Sequence, residues 1–209
     1  TTTAETKTGY GLQTSTELRL LKALIALNDE SPMDLVITFL GAHAIAPEYK
    51  DNPQGYTDEA VNTMLPMLKD WWETHAPRYG LPFVDVFCET KAFTLEQSRQ
   101  ILTQAGSLGF PLKIHADEFD NLGGASLAAE LKAASADHLV VTSDADIEAL
   151  GKSDTVAVAL PCTPFGLAEP HYTPAKKLLD ANALLAIATD CNPGTSWNES
   201  MQFAIALAC

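Results

Sequence analysis

The hydrophobic and polar positions alternate between short apolar runs and longer segments with helical spacing. A threonine-rich segment predicts a strand at 1–8, and apolar runs predict strands at 34–40, 83–87, 112–114, 138–141, 155–160 and 184–189. Apolar residues that recur every three or four positions predict helices at 15–27, 58–74, 94–108, 123–134, 143–150, from 173 and from 196. Strands that are apolar throughout and separated by helices are typical of a parallel sheet covered by helices.

Several predicted helices begin with capping signals. Thr14–Glu17 and Thr94–Gln97 fit capping boxes, in which a hydroxyl and a side-chain carbonyl satisfy amides of the first turn. Thr57 is the expected N-cap of the helix that begins near Asp58.

About seven strand–helix units predict an α/β fold, a (β/α)8 TIM-like barrel that is incomplete and forms a single domain over 1–209. A doubly wound open sheet is the competing fold. That fold needs a glycine-rich phosphate loop after an early strand, and Gly9–Leu12 is a poor match to it.

Composition and charge narrow the function. The hydrophobic fraction of 46% is enough for a sizeable core, and the formal charge of −14 argues against binding nucleic acid or an anionic membrane. No apolar run reaches the length of a membrane span. The four cysteines contain no Cys-x-x-Cys pair, which excludes a zinc knuckle and favours reduced thiols in the cytoplasm.

Polar residues follow nearly every predicted strand. In a parallel barrel the active site lies at the C-terminal ends of the strands, so these positions are candidates for chemistry. They are Tyr10, His43, Glu89, His115 with Glu118, His138, and Asp190 with Asn192.

His115 and Asp190 are the strongest candidates for metal ligation. His115 stands beside Asp117 and Glu118, which could orient an imidazole or move a proton. A carboxylate after an apolar strand, such as Asp190, is costly unless it is paired, hydrogen-bonded or bound to a cation. For His138, which we expect to open a strand, a core role with Asp137 and a substrate contact are equally consistent with the spacing. His43 slightly favours a functional role, because Gly41 lets a ligand approach the backbone.

The segment Lys113-Ile-His-Ala-Asp-Glu-Phe-Asp-Asn-Leu-Gly-Gly124 resembles the signature of the imidazolonepropionase family in the amidohydrolase superfamily. Further segments agree in order, and the resemblance covers essentially the whole chain. They are Lys7–Leu12, Phe39–Ala44 with Pro47–Tyr49, Val84–Glu89, Ser135–Leu139 and Ala188–Thr195.

The resemblance implies a role for each candidate. His115 and Asp190 are expected to ligate one zinc or iron ion, and Asp190, Glu118 and His138 are the expected catalytic residues. The expected contacts to substrate or product come from Tyr10, His43, Glu118, Asn192, Gly194 and Thr195.

The implied reaction is metal-dependent hydrolysis of the cyclic amide of 4-imidazolone-5-propanoate to N-formimidoyl-L-glutamate, in histidine degradation. The resemblance also implies a cytoplasmic enzyme, and a homodimer is compatible with it. The alternatives are another cyclic-amide hydrolase or deaminase of the superfamily, or a non-catalytic ligand-binding barrel fragment.

The chain departs from the family pattern in several respects. The family carries a His-x-His pair on its first barrel strand, an arginine for the substrate carboxylate and a small β domain. This sequence has no His-x-His, and its first predicted strand resembles the family's second. We therefore expect a fragment that is inactive alone, within an active whole protein.

Overall fold

The computed structural model describes residues 1–209, which form two compact units. Unit 1 comprises residues 1–87 and 91–113, and unit 2 comprises residues 88–90 and 114–209. In each unit the strands are ordered in the sheet as they are in the chain. None of the helices combines the length and the hydropathy that crossing a bilayer requires. The single domain expected from the sequence stays a prediction.

Unit 1 is built on parallel strands that alternate with helices. Its strands are β1 (Thr3–Lys7), β2 (Asp34–Ala42) and, up to Phe87, β3 (Phe83–Cys88). Its helices are α1 (Thr14–Glu30), α2 (Pro53–Glu59), α3 (Leu65–His75) and α4 (Leu95–Ser107), with a 3-10 turn at Pro47–Tyr49 and a π-helical turn at Ala60–Met64. Strand β2 pairs in parallel with β1 and with β3.

The core of unit 1 lies between the helices and the strands. Leu21 of α1 and Leu68 of α3 are both fully buried. Burial of a leucine side chain stabilises a fold by about 1.5–3 kcal/mol, so each of these side chains helps to hold its helix in the core of the unit.

Unit 2 repeats the same pattern. Its strands are, from Ile114 onward, β4 (Lys113–Ala116), then β5 (Ser135–His138), β6 (Val156–Ala159) and β7 (Leu184–Ile187). Its helices are α5 (Gly124–Glu130), α6 (Asp144–Gly151), α7 (Cys162–Gly166), α8 (Ala175–Asp180) and α9 (Met201–Ala208). Strand β6 pairs in parallel with β5 and with β7.

Three local predictions are wrong. Thr14 is the first residue of α1 rather than its cap, and the Glu17 side chain reaches backbone amides further back, at Gly9, Gly11 and Leu12. Thr57 lies inside α2, whose N-cap is Asn52. His138 is the last residue of β5 rather than the opening of a strand. The capping box of α4, from Thr94 to Gln97, is confirmed.

Candidate active site

Two predicted substrate-binding residues of unit 1, Tyr10 and His43, lie together after β1 and β2. Their ring centroids are 5.3 Å apart and their planes meet at 79°, an edge-to-face contact. The His43 Nδ1 atom lies 2.9 Å from the Gly9 carbonyl oxygen, within hydrogen-bond distance. Tyr10 is 59% exposed, so a ligand can reach its ring.

In unit 2 the structure brings His115, Glu118 and His138 together at the ends of β4 and β5. The imidazole rings of His115 and His138 are 5.2 Å apart, and the His138 Nε2 atom lies 3.6 Å from a carboxylate oxygen of Glu118. All three residues are buried. Because His138 ends β5, it stands at the edge where a parallel barrel carries out its chemistry, which favours the functional interpretation over a core role.

The pKa of the Glu118 carboxyl lies in the range where a group exchanges protons near neutral pH. Burial raises the pKa of its carboxyl to about 7; the His115 charge lowers it, and Asp190 and Glu89 raise it. Both His115 and Asp190 therefore lie close enough to Glu118 to act on its charge.

Asp190 lies in a turn held together by the Asn192 side chain. A carboxylate oxygen of Asp190 accepts a 2.6 Å hydrogen bond from the Thr163 hydroxyl and a 3.2 Å bond from the Asn192 amide. The side-chain oxygen of Asn192, Oδ1, accepts 2.8 Å hydrogen bonds from the backbone amides of Gly194 and Thr195. The structure thus joins the four predicted residues of this segment, and Asn192 shapes the turn.

Two buried acids, Glu89 and Asp117, lie close to the backbone around Glu118. The Glu89 carboxylate accepts hydrogen bonds from the amides of Phe119 (2.9 Å) and Asp120 (3.1 Å), directly after Glu118. Asp117 is fully buried, and neither of its carboxylate oxygens has a hydrogen-bond partner. Burial raises the pKa of Asp117 to about 6, while the nearby Thr142 hydroxyl opposes the rise without reaching hydrogen-bond geometry.

Sequence reasoning missed the roles of Glu17, Glu89 and Thr163. The sequence pattern predicts that Glu17 is half of a capping box, and it gives Glu89 only as one polar residue among several at strand ends. Thr163 lies in α7, a helix that the sequence pattern did not predict. A usable signal for Glu17 is an acid placed a few residues after Gly9-Tyr-Gly11, where closely spaced backbone amides need an acceptor.

The donor atoms available in unit 2 fit a divalent metal ion. His115 offers a ring nitrogen, and Asp190 offers a carboxylate. The side chains of Thr163 and Asn192 donate hydrogen bonds to that carboxylate and fix its orientation. A carboxylate oxygen of buried Asp137, which accepts a 2.7 Å hydrogen bond from Ser135, lies within 4.8 Å of a ring nitrogen of His115. Imidazole and carboxylate ligands are those that zinc and iron take in hydrolytic sites.

Comparisons with solved structures identify the fold. An adenosine deaminase from Xanthomonas campestris with bound zinc aligns with 88% of this chain and 42% of its own, with a TM-score of 0.59 and 18% identity. Atrazine chlorohydrolase from Arthrobacter aurescens, complexed with zinc and atraton, aligns with 90% of this chain and 44% of its own, with a TM-score of 0.60 and 12% identity. These likenesses confirm the predicted fold class, an incomplete α/β barrel of the amidohydrolase type with seven parallel strands.

Sequence comparisons identify closer relatives. The chain is 52% identical over 209 residues to an imidazolonepropionase of Herpetosiphon aurantiacus, covering 100% of this chain and 49% of that protein. It is 46% identical over 208 residues to the imidazolonepropionase of Syntrophobacter fumaroxidans, a match that covers 100% of this chain and 47% of that protein. It is 50% identical over 207 residues to the imidazolonepropionase of Bacillus velezensis, a match that covers 99% of this chain and 47% of that protein.

No family model matches the chain. The chain spans about half the length of the curated relatives that it matches. That shared half contains every candidate residue described above, because the matches run along essentially the whole chain. Along essentially its whole length, therefore, the chain is similar to about half of the length of proteins of the imidazolonepropionase family.

Proposed function

We propose that the whole protein that carries this chain hydrolyses the cyclic amide of 4-imidazolone-5-propanoate to N-formimidoyl-L-glutamate. The observation that carries the proposal is the 52% identity, along all 209 residues, to a curated imidazolonepropionase. The burial of His115, Glu118 and His138 together at strand ends supports it, because hydrolytic barrels place their chemistry there. Water adds across the ring C–N bond: the carbonyl carbon becomes a carboxylate, and the ring nitrogen takes the proton.

We assign one zinc or iron ion to this site, with His115 and Asp190 among its ligands. When bound, such an ion polarises water and a carbonyl oxygen, which makes amide hydrolysis possible near neutral pH. The hydrogen bonds from Thr163 and Asn192 hold the Asp190 carboxylate in one orientation.

The proton transfers belong to Glu118, His138 and Asp190 in this proposal. A carboxyl with a pKa of about 7, as burial gives Glu118, can both take and give a proton at neutral pH. His138, with its Nε2 atom 3.6 Å from Glu118, is placed to stabilise negative charge that develops on the carbonyl oxygen. Asp190 accepts a proton from water.

Substrate contacts complete the proposal. Tyr10 and His43 present adjacent rings, an arrangement suited to a flat imidazolone ring. Glu118 contacts a ring nitrogen. Asn192, Gly194 and Thr195 form the turn that meets the substrate or the product, and Gly194 is exposed there. A cytoplasmic location and a homodimer stay predictions.

The test is an assay of the purified whole protein on 4-imidazolone-5-propanoate, with the product identified by mass spectrometry. We expect a product one water heavier than the substrate, identical to authentic N-formimidoyl-L-glutamate. Hydrolysis of other cyclic amides, or deamination of heterocyclic amines, without turnover of this substrate would contradict the proposal and favour a different activity of the superfamily.

A further inference from the structure

The Glu17 carboxylate is a fully buried acceptor for three backbone amides of one loop. One oxygen accepts from the amide of Gly9 at 2.9 Å. The other accepts from the amides of Gly11 at 2.7 Å and Leu12 at 2.9 Å. Hydrogen bonds to a charged, buried acceptor are about twice as strong as neutral ones, so this side chain sets the course of residues 9–12.

The loop is packed so tightly that it has little freedom to shift. Gly9 has φ of 115°, and a Cβ atom there would lie 2.8 Å from the Leu40 carbonyl oxygen. A Cβ atom on Gly11 would lie 2.6 Å from Thr16 and 2.9 Å from a Glu17 oxygen. A side chain at either position would require its neighbours to shift, because these distances are shorter than side-chain contacts allow, and the positive φ of Gly9 adds strain there.

Tyr10 lies between these two glycines. Its backbone is therefore held on both sides while the residue remains 59% exposed. The same loop reaches His43, since the Gly9 carbonyl oxygen lies 2.9 Å from its Nδ1 atom. On the far side, the buried Tyr56 hydroxyl lies 2.8 Å from both the Leu12 and the Gly41 carbonyl oxygens and shares its one proton between them.

We propose that Glu17 is a positioning residue, whose carboxylate holds the loop 9–12 so that Tyr10 and His43 meet the substrate in one geometry. This inference rests on the proposed function, which makes Tyr10 and His43 substrate contacts. Glu17 itself faces the loop backbone and acts through it, so its loss weakens substrate binding more than it slows the chemical step.

The test is Glu17→Gln in the whole protein. The glutamine oxygen can replace only one carboxylate oxygen, and its NH2 group then faces an amide N–H that has no acceptor. We expect hydrogen–deuterium exchange of the peptide covering residues 9–12 to become about tenfold faster. We expect KM to rise about tenfold, with kcat changed by less than about threefold.

A double-mutant cycle with Tyr10→Ala separates positioning from general destabilisation. If Glu17 acts through Tyr10, adding Glu17→Gln to Tyr10→Ala raises KM by less than about twofold further. Thr94→Ala, which removes the N-cap of α4 in the same unit, is the stability control and leaves KM unchanged. Should Glu17→Gln fail to fold, Gly11→Ala disturbs the same contacts from the loop side, and we expect it to raise KM and exchange in the same direction.

Two failures are distinguishable. A wild-type protein that does not hydrolyse 4-imidazolone-5-propanoate overturns the proposed function and, with it, the role of Glu17. An active wild type whose Glu17→Gln variant keeps its KM and its exchange at residues 9–12, or whose KM effect multiplies fully with that of Tyr10→Ala, overturns the positioning role alone.

Discussion

Several residues at the strand ends of unit 2 have left-handed backbone. The φ angle is 55° at Asp117, 80° at His138, 59° at Leu139 and 50° at Asp190. Residues with a side chain hold such conformations at a cost of about 1–3 kcal/mol each, and they do so where the surrounding structure leaves no alternative. Strain of this kind concentrates at active sites, which agrees with the roles proposed for His138 and Asp190.

Glu118→Gln tests the proton role directly. The amide cannot take or release a proton, so we expect kcat in the whole protein to fall by about a hundredfold or more, with bound metal unchanged. Steady-state kinetics and elemental analysis measure the two quantities. Glu148→Gln, at an exposed acid of α6, is the matched control. Full turnover by Glu118→Gln would exclude it as the proton carrier.

His115→Ala tests metal ligation without relying on activity. Loss of one imidazole ligand is expected to lower the metal content of the purified whole protein to well below one ion per chain, and activity should fall with it. His171→Ala, at an exposed loop histidine, should keep the wild-type metal content. Stoichiometric metal in His115→Ala would remove His115 from the ligand set.

At the scale of elements, α1 and α4 show that one sequence pattern leads to two local structures. Near the start of each helix, a threonine is followed three residues later by Glu or Gln: Thr14 with Glu17 in α1, and Thr94 with Gln97 at α4. In α4 the pattern forms a capping box, in which the backbone amide of Gln97 donates a 3.3 Å hydrogen bond to the Thr94 hydroxyl. In α1 the Glu17 carboxylate instead accepts hydrogen bonds from three backbone amides of the loop 9–12. Buried backbone amides need an acceptor, and Glu17 supplies it for all three.

This difference predicts unequal effects of two threonine substitutions. Thr94→Ala removes a true cap and should lower the free energy of unfolding by about 1 kcal/mol. Thr14→Ala removes only a 3.4 Å contact with Glu59 and should change it by less than about 0.5 kcal/mol. Denaturant titration of both variants measures the effect, and equal losses would contradict the assignment of the caps.

Asp146 links α6 to the segment around α5 and makes stability depend on pH. Burial raises the pKa of its carboxyl, but hydrogen bonds from Ser126, Ser143 and Asn121 outweigh burial and leave the pKa below its ordinary value. A lowered pKa stabilises the fold above the ordinary pKa of about 4, and this contribution is lost as the pH falls through the folded-state value.

Asp146→Asn should therefore lower the free energy of unfolding by about 1.5–3 kcal/mol at pH 7, since charge-assisted hydrogen bonds are lost. The difference in the free energy of unfolding between the variant and the wild type should narrow as the pH is lowered to about 3. Denaturant titrations of both proteins at pH 7 and at about pH 3 measure this difference. A gap that stays constant or widens at low pH would show that the charge of Asp146 does not stabilise the fold.

At the scale of the whole molecule, the number of ligands sets the expectation for activity. A catalytic zinc site takes about three protein ligands, and this chain offers His115 and Asp190 as the assigned pair. We expect the whole protein to hydrolyse 4-imidazolone-5-propanoate and the 209-residue chain alone to be inactive. The prediction is tested by assaying the whole protein and the isolated chain, each with added metal, for hydrolysis of 4-imidazolone-5-propanoate. Turnover by the isolated chain would contradict it.

The amino-acid pattern predicts the seven strands, most of the helices, the fold class and the candidate residues at strand ends. Those features follow from local periodicity and from a parallel topology that carries strand ends to one edge. His115, for example, was identifiable because it ends an apolar run beside two acids.

The pairing of the buried polar groups depends on the tertiary structure. That structure placed His138 at the end of β5, directed Glu17 to the loop at Gly9, and brought Thr163 to Asp190 from a helix the pattern did not indicate. The physical reason is that hydrogen-bond partners and burial depend on residues distant in the chain. Periodicity along the sequence carries no information about which buried amide or hydroxyl a given carboxylate meets.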